Sequence, residues 1–295
     1  MNIYTIILPT FNDWKSLSIL LSQIEKHLKN TGDIFKVLII DDNSTKKNNF
    51  ELNKNKFFRE INILSLKKNV GSQKAIATGL KFISKNKNKN KKEDKFIIMD
   101  SDGEDDPKKI KEIIKLINKN PKTEIITMNR ALRKESFLFS ILYEVHLLIT
   151  FLMTLKYIRF GNFSFLNKKA LNVIIQKKDL WFAYSATLNK YFNEKKFIIA
   201  PRRKRISGKS KMSYYGLINH SLNIQFVYMK NIIFSYVIYS SIFIFLYLFL
   251  HTDIVLMFLL LIIAHFVLIT LSVKKKVNGI TFNLCINNIS SIKKI

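Results

Sequence analysis

Asp100 and Asp102 stand two residues apart at the end of an apolar run, Lys95–Met99, with Glu104 next along the chain. Carboxylates so spaced offer hard oxygen ligands. Such ligands suit Mg²⁺ or Mn²⁺ when substrate phosphates complete the coordination shell. The ion then offsets the charge that builds on a leaving diphosphate. Two more polar clusters follow apolar runs: Pro9–Asp13 after Ile3–Leu8, and Asp41–Ser44 after Lys36–Ile40. A fourth group is cationic. Between Lys195 and Lys211 there are eight Lys or Arg residues and no acid, with a Gly-Lys-Ser turn between Arg205 and Lys211. Cations grouped in this way favour phosphate or an anionic membrane surface.

The elements that must hold these clusters follow from the residue pattern. Ile3–Leu8, Lys36–Ile40, Ile61–Leu66, Lys95–Met99 and Glu124–Met128 are short apolar runs, expected as strands. Asp13–Leu28 and Ser72–Ser84 carry apolar residues at helical spacing, with Asn12 or Asp13 as N-cap of the first. Pro107 opens a third helix, to Ile117. Alternating strands and helices predict a mostly parallel α/β sheet covered on both faces. Ligands bind such sheets at the carboxyl ends of the strands, where all three acidic or turn-rich clusters fall. A D-x-D alone is common in solvated turns, and its place after a buried strand is what gives it weight.

Other chemistries are excluded. The first strand is followed by Pro-Thr-Phe-Asn-Asp with no Gly-x-Gly-x-x-Gly, against a dinucleotide oxidoreductase or a P-loop enzyme. Five scattered histidines and one cysteine, Cys285, exclude a zinc cluster and an internal disulfide. The net charge of +28 comes largely from lysine, and the Lys/Asn run from Ser84 to Lys95 reads as a solvated loop. No nucleic-acid-binding module is present, so no nucleic-acid partner is expected.

Ile232–Leu250 and Ile254–Val273 contain no charged residue. At about 1.5 Å per residue each is long enough for a hydrocarbon core of about 30 Å. The two form a transmembrane hairpin with His251–Asp253 as its turn. Lys230 before it and Lys274–Lys276 after it place both ends in the cytoplasm. The expected organisation is a cytoplasmic domain over 1–230, two membrane helices over 231–273 and a cytoplasmic tail over 274–295. Residues 136–159, apolar but interrupted by Glu144, His146 and Lys156, are expected as one helix or a broken pair on the membrane surface. His265, inside the second span, is expected to be neutral and to face the other helix. The N-terminus shows no signal peptide, so the domain is expected on the cytoplasmic side of the inner membrane.

Ile-Leu-Pro-Thr-Phe-Asn (7–12), Ile-Ile-Asp-Asp-Asn-Ser (39–44), Asn-Val-Gly (69–71) and Met-Asp-Ser-Asp-Gly (99–103) resemble the motifs of family 2 glycosyltransferases. Gly-Asn-Phe (161–163) and the stretch Arg205–Lys211 resemble the dolichol-phosphate mannose synthase branch, with its bacterial polyprenyl-phosphate glycosyltransferases. The resemblance covers roughly residues 3–273. It implies a GT-A fold, a UDP- or GDP-sugar donor, Mg²⁺ or Mn²⁺ as cofactor and a polyprenyl phosphate acceptor. It also implies site roles. Pro9, Phe11 and Asp13 line the nucleotide pocket, and Ile40 and Asp42 contact base and ribose, Asp42 accepting from a base N–H. Asp100, Ser101 and Asp102 hold the diphosphate and metal, with Glu104 as a further oxygen ligand. Arg130, with Arg133 nearby, reaches phosphate oxygens, and Arg205 and Lys211 close over the donor diphosphate or lipid phosphate. Two positions depart from the family: Glu104 where Gln is usual, and Phe11 where Tyr is common.

A lipid phosphate is already anionic, so it needs no strong general base to attack the anomeric carbon. One in-line displacement inverts that centre. Transfer to a lipid-linked saccharide or glycan hydroxyl is the rival; it requires a carboxylate base, and only Asp179 lies near Leu180–Ser185. A non-catalytic membrane scaffold is the alternative from another class. A homo-oligomer packed through the hairpin is neither required nor excluded by these residues.

Overall fold

The computed structural model describes residues 1–46, 57–85, 95–130, 137–208, 214–250, 253–274 and 280–295. The chain divides into two compact units. Met1–Arg133, Arg159–Ser210 and Val277–Ile295 form the first, Lys134–Ile158 and Lys211–Lys276 the second.

The first unit begins β1 (Ile3–Thr10), α1 (Trp14–Leu28), β2 (Ile34–Asp41), β3 (Glu60–Leu66), α2 (Ser72–Lys85), β4 (Lys95–Ile98), α3 (Lys109–Lys119) and β5 (Ile125–Arg130). The chain then forms α4 (Phe137–Thr154) in the second unit. It returns as β6 (Phe160–Asn167), α5 (Lys168–Ile174), a 3₁₀ turn Lys178–Trp181, α6 (Tyr184–Tyr191) and β7 (Lys196–Ala200). α7 (Tyr214–Val227), α8 (Met229–Leu250) and α9 (Asp253–Lys274) belong to the second unit. A 3₁₀ turn, Cys285–Asn288, and β8 (Ile289–Lys294) close the first.

Among the described residues the strands make one sheet in the order β7-β5-β6-β4-β1-β2-β3-β8. β1 runs parallel to β2 and β4, β2 to β3, and β5 to β7, while β6 and β8 run antiparallel to their neighbours. The expected α/β architecture with a mostly parallel sheet is therefore present. Helices cover the sheet because its central strands are apolar on both faces. Tyr4, Ile6 and Leu8 of β1 share a core with Leu17, Leu20 and Ile24 of α1 and with Ile110, Ile113, Ile114 and Ile117 of α3. That α3 set follows the i, i+3, i+4, i+7 spacing of one helix face. Pro107 sits two residues before α3, in a turn whose i→i+3 bonds lead into the helix. On the opposite side α2 lies so close to β2 that a Cβ on Gly79 would be 2.3 Å from Ile40 Cδ1.

Two parts of the expected organisation are corrected. Residues 280–295 are no separate tail: β8 pairs with β3 from Asn62↔Lys294 to Leu66↔Ile289, because β3 otherwise leaves its outer edge unpaired. Nor does the chain divide at residue 230. α4 is one helix and packs with α7 and α8, and Tyr239 Oη donates to the Leu152 carbonyl at 2.8 Å.

α8 and α9 are long and apolar enough to cross a membrane, and most of their large side chains are exposed. A buried core helix of a soluble protein would hide them. Ile232, Tyr236 and Ile269 form a small core between the two helices, and Phe243 stacks on Phe258 at 5.4 Å. His265 faces the other helix, its Nδ1 2.7 Å from Tyr236 Oη.

Candidate active site

β1, β2 and β4 are adjacent and parallel, so the loops after their carboxyl ends emerge along one edge of the sheet. Short contacts lock these loops together. Ser101 Oγ donates to the Pro9 carbonyl at 2.8 Å, tying the end of β4 to the end of β1. Asn12, at φ 56°, donates its backbone N–H to Ser44 Oγ, and its Oδ1 accepts from the Lys46 amide, both at 2.8 Å. Asp41 Oδ1 accepts from the Ser44 amide at 3.0 Å.

Arg205 organises the charge at this edge. Its Nη2 donates to Asp13 Oδ2 at 2.7 Å, and its Nη1 to Asp102 Oδ2 at 3.1 Å. Asp13 precedes α1 in the N-cap position but makes no side-chain cap bond; its carboxylate serves Arg205 instead. The backbone brings Arg205 there, because Ile206 N–H donates to the Asp102 carbonyl and Arg203 N–H to that of Glu104. Gly103, at φ 81°, permits this approach: a Cβ on it would lie 2.2 Å from Ile206 Cδ1.

Asp100 is held by a relay across the sheet. Tyr184 N–H donates to Gln73 Oε1 at 2.8 Å, Gln73 Nε2 to Asn162 Oδ1 at 2.9 Å, and Asn162 Nδ2 to Asp100 Oδ1 at 2.9 Å. Asp102 Oδ1 accepts from the Glu104 amide at 3.0 Å. Burial first, then the neighbouring Asp100 charge, pushes the Asp102 carboxyl up to about 6.

Several expected contacts take a different form. Glu104 is buried, with Oε2 2.8 Å from Arg202 Nε, and among the described residues no three His, Cys, Asp or Glu converge as a metal site. Its neighbour on the oxygen side is thus the Arg202 guanidinium. Ile40 is fully buried against Gly79, since strand alternation turns it under α2 rather than toward a base. Both oxygens of Asp42 accept backbone amides, Oδ1 from Val70 and Oδ2 from Gly71, each at 2.8 Å. Burial pushes this carboxyl up to about 6 against the pull of those amides. Phe11 is half-buried at the same edge, in the loop after β1. Arg130 ends β5 in register with Ala200, while Arg133 and Lys211 lie outside the described residues.

Gln73, Arg202 and the role of Asn162 escaped the sequence reading. Gly-Asn-Phe (161–163) marked the right place but not the relay, because Gln73 lies 89 residues from its partner. Arg202 was lost among the eight cations of its segment.

These features match known proteins. Residues 5–174 match the model for glycosyl transferase family 2. Among solved structures, the glucosyl-3-phosphoglycerate synthase of Mycobacterium tuberculosis, in complex with Mn²⁺ and uridine-diphosphate-glucose, is 10% identical with a TM-score of 0.52. The match covers 77% of this chain and 79% of that one. S. aureus TarS 1-349 is 14% identical with a TM-score of 0.45, covering 76% of this chain and 65% of that one. The chain therefore spans somewhat less than two thirds of TarS 1-349. No curated protein matches by sequence. With more than half of its length inside the family model, the chain belongs to glycosyl transferase family 2, and it has the GT-A fold.

Proposed function

We propose that this protein transfers a sugar from a UDP- or GDP-sugar to polyprenyl phosphate at the cytoplasmic face of a membrane crossed by α8 and α9. The observation that carries the reading is the place of Arg205. One guanidinium bridges Asp13 of the first loop and Asp102 of the third, and it belongs to the basic segment Lys195–Lys211 that precedes the apolar helices in the sequence. A cation there serves two phosphates, that of the donor and that of the lipid.

The donor set fits Mg²⁺ or Mn²⁺. Asp100 and Asp102 are neighbouring carboxylates that repel one another, and a divalent ion needs only one or two protein oxygens beside substrate phosphates. Asp100 and Asp102 would hold the ion, which offsets charge on the leaving diphosphate. The Mn²⁺ and UDP-glucose bound by the mycobacterial synthase support this donor chemistry.

The chain's own residues orient and neutralise. The Gln73–Asn162 relay fixes Asp100, and Arg205 and Arg202 balance the acids until substrate arrives. A lipid phosphate oxygen forms the bond to the anomeric carbon as the bond to the nucleoside diphosphate breaks, with inversion. No proton has to be removed from the attacking oxygen. Asp179, the acid closest in sequence to Leu180–Ser185, accepts from Lys190 Nζ and Tyr191 Oη, both at 2.7 Å. A carboxylate so engaged is a poor general base, which supports phosphate over hydroxyl as acceptor. Offering membranes labelled donor with either polyprenyl phosphate or the dephosphorylated polyprenol tests the reading. Label is expected on the phosphate alone, and equal labelling of the alcohol would reject it.

A further inference from the structure

The segment after the second apolar helix does more than finish the sheet. Asn288, 5% exposed, grips the loop between β3 and α2 from outside: its carbonyl accepts from Lys67 N–H at 2.7 Å, and its Nδ2 donates to the Lys68 carbonyl at 3.1 Å. The next residues of that loop are gripped from inside. Asn69 Nδ2 donates to the Asp42 carbonyl at 3.0 Å, and the Val70 and Gly71 amides donate to the Asp42 carboxylate. Five consecutive residues are therefore bonded, by Asn288 on one flank and Asp42 on the other. Two residues further on, Gln73 carries the relay on to Asn162 and Asp100. A second anchor holds the segment at its other end. Lys81 Nζ donates to the Phe282 carbonyl at 2.9 Å and lies 4.0 Å over the Phe282 ring, which packs on Trp181.

We propose that Asn288 is a positioning residue for nucleotide binding, and that the donor site is complete only once the chain beyond α9 has returned to the first unit. The inference rests on the donor site described above. Loop 67–71 leads into α2 and so sets where Gln73, Asn162 and Asp100 stand. Removing the Asn288 side chain leaves Lys68 without that donor and lets the loop drift from the strand ends. Because 280–295 follow both apolar helices in the chain, a molecule that fails to bring its C-terminus back has an unfinished site.

The test uses the full chain in detergent: wild type, Asn288→Ala, Lys81→Met and Ser290→Ala, each titrated with UDP and with GDP in Mn²⁺, and each melted. Ser290 is the control, because its Oγ bonds the Ser65 carbonyl in the same segment but away from the loop. Asn288→Ala is expected to weaken nucleotide binding about five- to tenfold, the scale of one buried hydrogen bond. Lys81→Met follows in the same direction by about two- to fivefold, and carries the test if Asn288→Ala does not fold. Ser290→Ala stays at the wild-type affinity. A lowered melting midpoint with unchanged affinity in Asn288→Ala and Lys81→Met would overturn the proposal, as would an equal loss in Ser290→Ala. Wild type that binds neither nucleotide would instead remove the donor reading itself, and this inference with it.

Discussion

Arg205 Nη1 donates to Asp102 Oδ2 at 3.1 Å, and this bond joins the basic segment to the carboxylate pair at the end of β4. The same guanidinium reaches Asp13 with its other nitrogen. A planar fork can serve two carboxylates at once, whereas an ammonium is a single point charge. Arg205→Lys is therefore expected to lower kcat/KM by about 10²-fold, close to the effect of Arg205→Gln. Steady-state rates for the two variants check this, and a Lys variant near wild type would show that charge alone suffices.

Gly103 is expected to tolerate no side chain, for two separable reasons. Its φ of 81° strains any L-residue, and a Cβ would collide with Ile206. Gly103→Ala should lose about 1–3 kcal/mol of stability together with activity. Adding Ile206→Ala should recover part of the activity by relieving the collision, leaving the backbone strain. Identical activity in single and double variants would deny the close approach its role.

The relay makes a prediction about coupling. Asn162→Ala and Gln73→Ala should each weaken Mn²⁺-dependent nucleotide binding by about 10- to 100-fold, as outer-shell partners of a metal-binding carboxylate do. The double variant should be little worse than either single one, because both break one chain of bonds to Asp100. Additive losses would mean that the residues act apart.

Asp42 ties stability to pH. Burial raises its carboxyl from the ordinary 3.8 to about 6, so between those values the folded state holds a proton that the unfolded chain has released. This group therefore stabilises the fold as pH falls from about 6 toward 4, by at most about 1.4 kcal/mol per unit. Above that range its contribution is constant. Melting midpoints of wild type and Asp42→Asn at pH 7.5, 6 and 5 should show wild type gaining on the variant as pH falls. A pH-independent gap would contradict the shift.

The legible part of the molecule was its centre. The five strands and three helices read from the first 130 residues all stand within a few residues of their expected bounds, because buried β1, β2 and β4 are nearly continuous apolar runs. β8 was illegible for the opposite reason. Ile-Ser-Ser-Ile-Lys-Lys lies on an exposed edge, carries no apolar alternation and follows a membrane-like segment, so it passed for a tail. At the site, motif positions were found but side-chain directions were not. Asp42 and Glu104 look alike in sequence as acids at strand ends, yet one turns to loop amides and the other to Arg202. Partners so distant in the chain leave no local pattern.

The central claim is metal-dependent transfer of a sugar to a lipid phosphate, and a radiolabel assay tests it most directly. Membranes holding the full chain receive undecaprenyl phosphate, Mg²⁺ or Mn²⁺ and a panel of labelled UDP- and GDP-sugars. Label from one donor should enter the organic phase, and both chelation and Asp102→Ala should abolish it. Lipid-phase labelling that survives chelation and Asp102→Ala, or none from any donor in wild type, would contradict the account.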